Sequence, residues 1–249
     1  MKVLSFLGKT MSLRLSGNSR LAFLKQWSGV IALALSALVL AITNVDLQLS
    51  DQFYLPSLGW YLADETPWRW LYDYGELPAI GLAVGAFCVL VGSRWRRVWR
   101  SHRRRCLFIV LAVALGPGLA INGILKPMWG RPRPRQVTEF GGDKAYRPWY
   151  QPAGLSAAAD KSFPSGHAAM GFVLVAGVVL LPCRGAGLRW AWIAGALGYG
   201  GLMGLGRIVQ GGHFLSDVLG SAAVVMLVIW GLSVILPVGS PGRLRPNRS

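Results

Sequence analysis

The stretch FLSDVLGSAAVVMLVIWGLSVIL, residues 214–236, decides what kind of fold this chain can adopt. It is long and apolar enough to supply the roughly 20 residues that a helix needs to cross a hydrocarbon core of about 30 Å. Five further runs meet that test or come close, at residues 27–45, 77–93, 106–125, 167–181 and 190–206. Pro78 and Pro182 mark natural helix ends beside two of them. With 53% hydrophobic and 14% charged residues among 249, and a mean hydropathy of +0.43, the chain is too apolar for an ordinary soluble domain. The expected fold is therefore all-α, a polytopic membrane bundle of six transmembrane helices. One domain covers residues 27–236, between basic tails at 1–26 and 237–249. The first run is too long for a signal peptide and has no clear small-residue cleavage site, so it reads as a retained helix.

A net charge of +16 raises the possibility of nucleic acid. A nucleic-acid reader gathers its cations on a soluble face interleaved with stacking aromatics, whereas here they crowd between apolar runs. They fill the N-terminal tail, the turn from Arg94 to Arg105, the turn bearing Arg184 and Arg189, and the C-terminal tail, all without an Asp or Glu. The ten acidic residues, from Asp46 to Asp217, lie in or beside the other three connections. The positive-inside rule then places both termini in the cytoplasm and the acidic connections on the outer face of a cell membrane. Cations on the inner side also attract anionic lipid, which accounts for the basic balance with no nucleic acid partner. Cys88, Cys106 and Cys183 are scattered and make neither a disulfide framework nor a metal cluster.

The outer connections differ in character. Residues 46–76 are rich in Trp, Tyr and Asp and read as an interfacial aromatic belt. Residues 127–163 form a connection far longer than a usual helix link, and such lengths carry function or are disordered. The fifth run holds Gly195, Gly198, Gly200, Gly201, Gly204 and Gly206, read as close helix packing.

Three polar clusters fall at the outer ends of the last four runs: KPMWGRPRP at 126–134, PSGH at 164–167 and GRIVQGGHFLSD at 206–217. Each has an ordinary explanation when taken singly. Lys126 is a lysine snorkelling from a helix end, the Arg-Pro repeats a stiff extended linker, and Ser165 a helix cap. Arg207 is a headgroup anchor, and His213 with Asp217 an i, i+4 pair on one helix face. Jointly they put two histidines and three spaced cations at one membrane face, where ionisable groups are functional candidates.

Phosphoryl transfer suits that set. A phosphate ester needs cations around its oxygens, an in-line nucleophile, and an acid for the departing oxygen. Lys126, Arg133 and Arg207 supply the cations. Backbone N–H groups around Ser165 and Gly166 add an anion site at a helix start. Asp217 can orient His213, and His167 is left as the acid. No metal-ligand cluster accompanies them, so the chemistry is expected to need neither metal nor other cofactor.

The spacing Lys126, six residues, Arg133-Pro134; then Pro164-Ser165-Gly166-His167; then Arg207, five residues, His213, three residues, Asp217 resembles the three-part signature of the type 2 phosphatidic acid phosphatase family. The resemblance implies that His213 is a nucleophile forming a phosphohistidine, Asp217 its orienting partner, and His167 the acid and then the base. It implies that Lys126, Arg133, Ser165, Gly166 and Arg207 hold the phosphate without a metal. Gly206 departs from the pattern, since the family usually has Ser there. Substrates across the family include phosphatidic acid, phosphatidylglycerol phosphate, polyprenyl diphosphates and the phosphates of lipid A. Arg131-Pro132-Arg133-Pro134-Arg135 and Phe140-Gly141-Gly142 are more similar to the bacterial lipid A branch, and Arg131 and Arg135 are candidates for a second phosphate or for ordinary headgroup binding. The implied protein is an inner-membrane lipid phosphatase acting on the periplasmic face. Two alternatives stay open: a phosphotransferase passing the phosphate to another lipid, and a non-catalytic lipid binder or carrier. The oligomeric state is not legible in the sequence.

Overall fold

The computed structural model describes residues 43–154, 160–181 and 186–238. Most of the first expected span, the N-terminal tail, the C-terminal tail beyond residue 238 and Cys183 lie outside the described residues; Cys88 and Cys106 are free thiols. Among the described residues the protein is helical, and its extended pairing is limited to two isolated bridges.

Each of the other five apolar runs is helical. Two short helices, α1 (Val45–Asp51) and α2 (Trp68–Tyr74), precede α3 (Leu77–Gly92), and α2 and α3 together make one apolar span, Trp68–Gly92. Next comes α4 (Arg103–Val113), which runs on through a π-wound stretch, Ala114–Leu125, into a last turn, Lys126–Trp129. The helix α5 (Gly166–Phe172) tightens into 3-10 winding over Val173–Leu180. Finally α6 (Ala186–Val209) and α7 (Leu215–Ile235) form a hairpin whose turn carries His213.

Three described spans are long and apolar enough to cross a membrane: Trp68–Gly92, Arg103–Gln136 and Leu215–Ile235. Gly166–Leu180 is apolar but shorter. The 24 residues of α6 are long enough, but their glycines and Arg189 and Arg207 dilute its hydropathy.

Winding in α4 has a local cause. Pro117 sits inside the helix and has no N–H to give to the preceding turn. Its own carbonyl accepts a hydrogen bond from Asn122 Nδ2 at 2.8 Å. The wider π winding carries Asn122 and Lys126 toward the start of α5, where a Cβ on Gly166 would lie 2.9 Å from Lys126 Nζ. Such π segments recur at functional positions. The left-handed Gly130, at φ 56°, then ends the helix.

The core is built around α5, which is buried along most of its length. Phe108, Ile121, Ala169, Phe172, Val173, Ile208, Val218 and Val225 join α4, α5, α6 and α7 in one apolar cluster. The sixfold glycine pattern of α6 divides in two. A Cβ on Gly200 would meet the Phe172 ring at 2.3 Å, and one on Gly204 would meet Val218 at 2.3 Å, so these two glycines admit α5 and α7 closely. Gly195, Gly198 and Gly201 would meet nothing within 4 Å, so helix packing does not explain them.

The reading of residues 46–76 as an aromatic belt is corrected in part. Trp70, Tyr74 and Leu58 are exposed, as a belt requires, but Asp46 and Ser50 are buried. Tyr54 and Trp60 pack edge-on against Phe140 with centroids 5.5 and 5.4 Å away. Polar side chains and an aromatic face drawn inward join this segment to the long connection. That connection is an ordered cap in its described parts. Gly141, at φ 77°, closes a tight turn, and a Cβ on Gly142 would strike the Gln136 backbone at 2.1 Å. Thus the Phe-Gly-Gly sequence shapes a turn.

Candidate active site

Two helix ends and one turn bring the sequence-predicted residues together. The backbone N–H of Ser165 donates to the Asp217 carbonyl at 3.1 Å, and Ser221 Oγ donates to the Ser165 carbonyl at 2.7 Å. Both bonds fasten the start of α5 to the first turns of α7. Ser165 also caps α5, its Oγ accepting from Ala168 N at 3.4 Å. The cap reading is therefore correct for its hydroxyl, and its own amide is committed to Asp217. Of the two backbone positions proposed for an anion, Gly166 is the one beside Lys126 Nζ.

His213 lies in the turn between α6 and α7, where Gly212 N and His213 N both donate to the Arg207 carbonyl. Gly211 is left-handed at φ 61°, and a Cβ on Gly212 would lie 2.4 Å from the Arg207 guanidinium. Only a glycine at 212 lets that cation lie along the chain next to His213. Arg135 N donates to Gly211 O at 3.1 Å, which joins the Arg-Pro segment to the same turn.

His213 is buried, 2% exposed, with Nδ1 3.4 Å from Asp217 Oδ2. That separation is longer than an ordinary hydrogen bond. Burial, working against the pull of Asp217, holds the imidazole down at about 4. His213 is therefore neutral over the neutral range, with Nε2 the nitrogen left for chemistry.

Asp217 is 0% exposed and surrounded by donors. Its Oδ2 accepts from Ser162 Oγ at 2.6 Å and Phe214 N at 2.8 Å. Its Oδ1 accepts from Arg131 Nη1 at 2.6 Å. Here the sequence reading of Arg131 is corrected. Arg131 is itself wholly buried, and donates also to Ser216 Oγ, to Asp46 Oδ2 and to the Arg147 carbonyl. Its guanidinium stands 4.4 Å over the Phe214 ring. Asp46 in turn accepts from Ser216 N at 2.9 Å and from Tyr146. Burial first, and then Asp46, pushes the Tyr146 phenol up to about 12, so it stays a donor. With two carboxylates to satisfy, Arg131 has no donor to spare for a second phosphate. Arg133 is half-buried and Arg135 exposed, so the three arginines of RPRPR have three different surroundings.

The cations gather around His167. Lys126, Arg133, Arg207 and His213 all act on it electrostatically, and Lys126 in turn feels Arg133 and Arg207. Arg207 is 6% exposed, gives Nη1 to Gln210 Oε1 at 2.5 Å, and lies 4.6 Å from the Tyr72 ring. Among the described residues its Nε is buried with no hydrogen-bond partner, and the same holds for His213 Nδ1, so two buried nitrogens of the site stand without one. Gln210 is held by the Ala63 and Trp68 carbonyls, so α2 supports Arg207 from outside. His167 stacks on Tyr72 at 5.1 Å, with Nδ1 3.6 Å from Glu76 Oε1. At Gly206 a Cβ would touch Trp68 and Leu71 of α2 at ordinary distances, so packing alone does not demand glycine there.

All eight residues singled out from the sequence thus lie in one region at the ends of α4 to α7. Sequence reasoning missed Asp46, Tyr72, Glu76, Ser162 and Gln210, and misread Arg131. Among the described residues, no three His, Cys, Asp or Glu side chains gather at metal-binding spacing.

The sequence profile described as the PAP2 superfamily matches residues 105–238. A lipid A 4'-phosphatase of Francisella tularensis subsp. novicida (strain U112) is 35% identical over 195 residues, covering 77% of this chain and 86% of that protein. One of Rhizobium etli is 29% identical over 201 residues, covering 74% and 76%. One of Rhizobium leguminosarum is 34% identical over 122 residues, covering 49% and 51%. No solved structure matches the chain.

Proposed function

Because the chain belongs to the PAP2 superfamily, we propose that it is an integral-membrane phosphatase that removes the 4'-phosphate of lipid A or a closely related anionic lipid. The relatives' names support the substrate. The observation that carries the reaction is His213 facing Asp217 at 3.4 Å beside Arg207, whose buried Nε has no acceptor.

In this mechanism Lys126, Arg133 and Arg207 take the phosphate oxygens, joined by the backbone at Gly166. His213 Nε2 attacks phosphorus in line with the leaving oxygen, forming an N–P bond as the ester P–O bond breaks. The electron pair of that bond stays on the sugar oxygen, which accepts a proton from His167. Asp217 keeps the Nδ1 proton of His213 in place and balances the charge gained there. His167, now neutral, takes a proton from water as the water oxygen attacks phosphorus; the N–P bond breaks, its electron pair returns to His213 Nε2, and inorganic phosphate leaves. Arg135, exposed beside Arg133, is the cation left for charge elsewhere on the lipid. The phosphate's charge is met by side chains, so the reading includes no metal.

The six-span arrangement and its orientation belong to this proposal. Arg94 to Arg104 lie at one end of α3 and α4, while Glu76 and Lys126 lie at the other, about 24 Å away along 16 helical residues. With the arginine-rich end inside, the site opens on the periplasmic side of the inner membrane. An apolar groove of about 680 Å³ between α3 and α6, lined by Leu82, Trp192, Ala196 and Tyr199, offers a course for acyl chains. It begins beside the site, where the Tyr199 hydroxyl donates to the Gly75 carbonyl.

The test is a phosphate-release screen over lipid phosphates with purified protein, with and without a chelator, using His213→Ala as the blank. Release from lipid A that persists in chelator and vanishes in the variant is expected. Equal release by the variant would refute the assignment of His213. Label passing to a second lipid without free phosphate would move the reaction to phosphotransfer.

A further inference from the structure

We propose that Glu76 is the positioning carboxylate of His167, so that the site contains two histidine–carboxylate pairs, one for the nucleophile and one for the acid. This rests on the reading of His167 as the acid. Glu76 Oε1 lies 3.6 Å from His167 Nδ1, an ion-pair distance. Tyr72, four residues earlier on the Trp68–Gly92 span, stacks on the same imidazole with planes 13° apart. The i, i+4 spacing puts both on one helix face, so this span presents an aromatic plate and a carboxylate to one ring. The Glu76 side chain makes no capping hydrogen bond to α3, and it is 37% exposed.

The surroundings explain why a carboxylate is needed. His167 is faced by Lys126 and Arg133 from the end of α4, by Arg207 from α6, by His213 from the α6–α7 turn, and by Tyr72 and Glu76 from the α2–α3 span. An acid must carry its proton before it can give it, and a protonated imidazole among three cations needs an opposite charge. Asp217 is committed to His213, Arg131, Ser162 and Phe214 N. Glu76 is the carboxylate in ion-pair contact with His167 among the described residues. With Nδ1 turned to Glu76, Nε2 is aimed at the ester oxygen. As the P–O bond breaks, its electron pair goes to that oxygen with the Nε2 proton, His167 becomes neutral, and Glu76 stays ionised.

The experiment compares leaving groups. Purified Glu76→Gln, His167→Asn and the unaltered protein are each mixed in excess with an alkyl phosphate or with p-nitrophenyl phosphate. Alcohol or phenol release is read in a single turnover. An alkoxide needs the acid, whereas p-nitrophenolate departs without one. A general acid contributes roughly 10²- to 10⁴-fold. Glu76→Gln should therefore slow alkyl release by about tenfold or more and p-nitrophenol release by less than about threefold. His167→Asn should show the same selectivity with a larger loss. Equal losses on both substrates in Glu76→Gln, or no loss on the alkyl ester, would overturn the role of Glu76. If His167→Asn itself treats both esters alike, the acid assignment falls, and the Glu76 proposal falls with it.

Discussion

Arg131 gives the most demanding test of the site's internal electrostatics. It is fully buried and holds two carboxylates, Asp46 Oδ2 at 2.8 Å and Asp217 Oδ1 at 2.6 Å. Arg131→Met removes the cation and leaves both carboxylates buried without it. Breaking a buried pair in this way costs about 3–5 kcal/mol, a large part of the roughly 5–15 kcal/mol available to a domain. Asp46→Asn leaves Arg131 with one ionised carboxylate partner, Asp217, and weakens charge-assisted bonds of about 1.5–3 kcal/mol each. Combining the two removes one of the stranded carboxylates with the cation. The double variant should therefore cost less than the sum of the singles by about 1–3 kcal/mol. Unfolding in detergent, followed by heat or denaturant for the four proteins of the cycle, measures that coupling. Additivity to within about 0.5 kcal/mol would refute the buried network. So would a stable Arg131→Met whose only defect is a raised KM, which would return Arg131 to the substrate.

Three further outcomes follow from the geometry. Gly166→Ala puts a Cβ 2.9 Å from Lys126 Nζ and 3.1 Å from Asn122 Oδ1; the flexible lysine end yields, so the fold survives while kcat/KM falls by about tenfold or more, and unchanged kinetics would remove Lys126 from the phosphate site. Gly204→Ala, which meets Val218 at 2.3 Å, should destabilise by about 1–3 kcal/mol, whereas Gly195→Ala, with open space around it, should be neutral or gain up to about 1 kcal/mol from helix propensity; thermal unfolding ranks them. His213 sits at about 4 against an ordinary 6.5, so between those values the unfolded chain holds a proton that the folded site refuses. Stability from this group is full above about 6.5 and is lost as pH falls toward 4, on the order of 3 kcal/mol; His213→Gln should lose less between pH 7 and 4.5, and equal losses would contradict the buried neutral imidazole.

The parts of the site legible in the sequence are those whose spacing is set by one helix or one turn. His213 and Asp217 stand one turn apart, and PSGH reads as a helix start because Ser165 caps α5. Glu76, Tyr72 and Asp46 carry no such signal. They reach the site through tertiary packing of a segment whose aromatics look like a membrane belt, and only the burial of Asp46 and the stacking of Tyr72 separate the two. Arg131 was misread for a related reason. In RPRPR its spacing from Arg133 is visible, but two acidic partners 85 and 86 residues away are not. The helical class was legible from hydropathy alone, while the π winding of α4 depends on how the Pro117 carbonyl is satisfied by Asn122.

The bonds from Ser165 N to the Asp217 carbonyl and from Ser221 Oγ to the Ser165 carbonyl have a mechanical meaning. They fasten the α5 segment bearing His167 to the α7 segment next to His213, so the two histidines ride on one braced frame. A bilayer that thins, thickens or tilts its helices loads this bundle through its lipid-facing sides. The braced pair passes that load on as a unit. His167 and His213 thereby keep their register while the membrane around them changes shape.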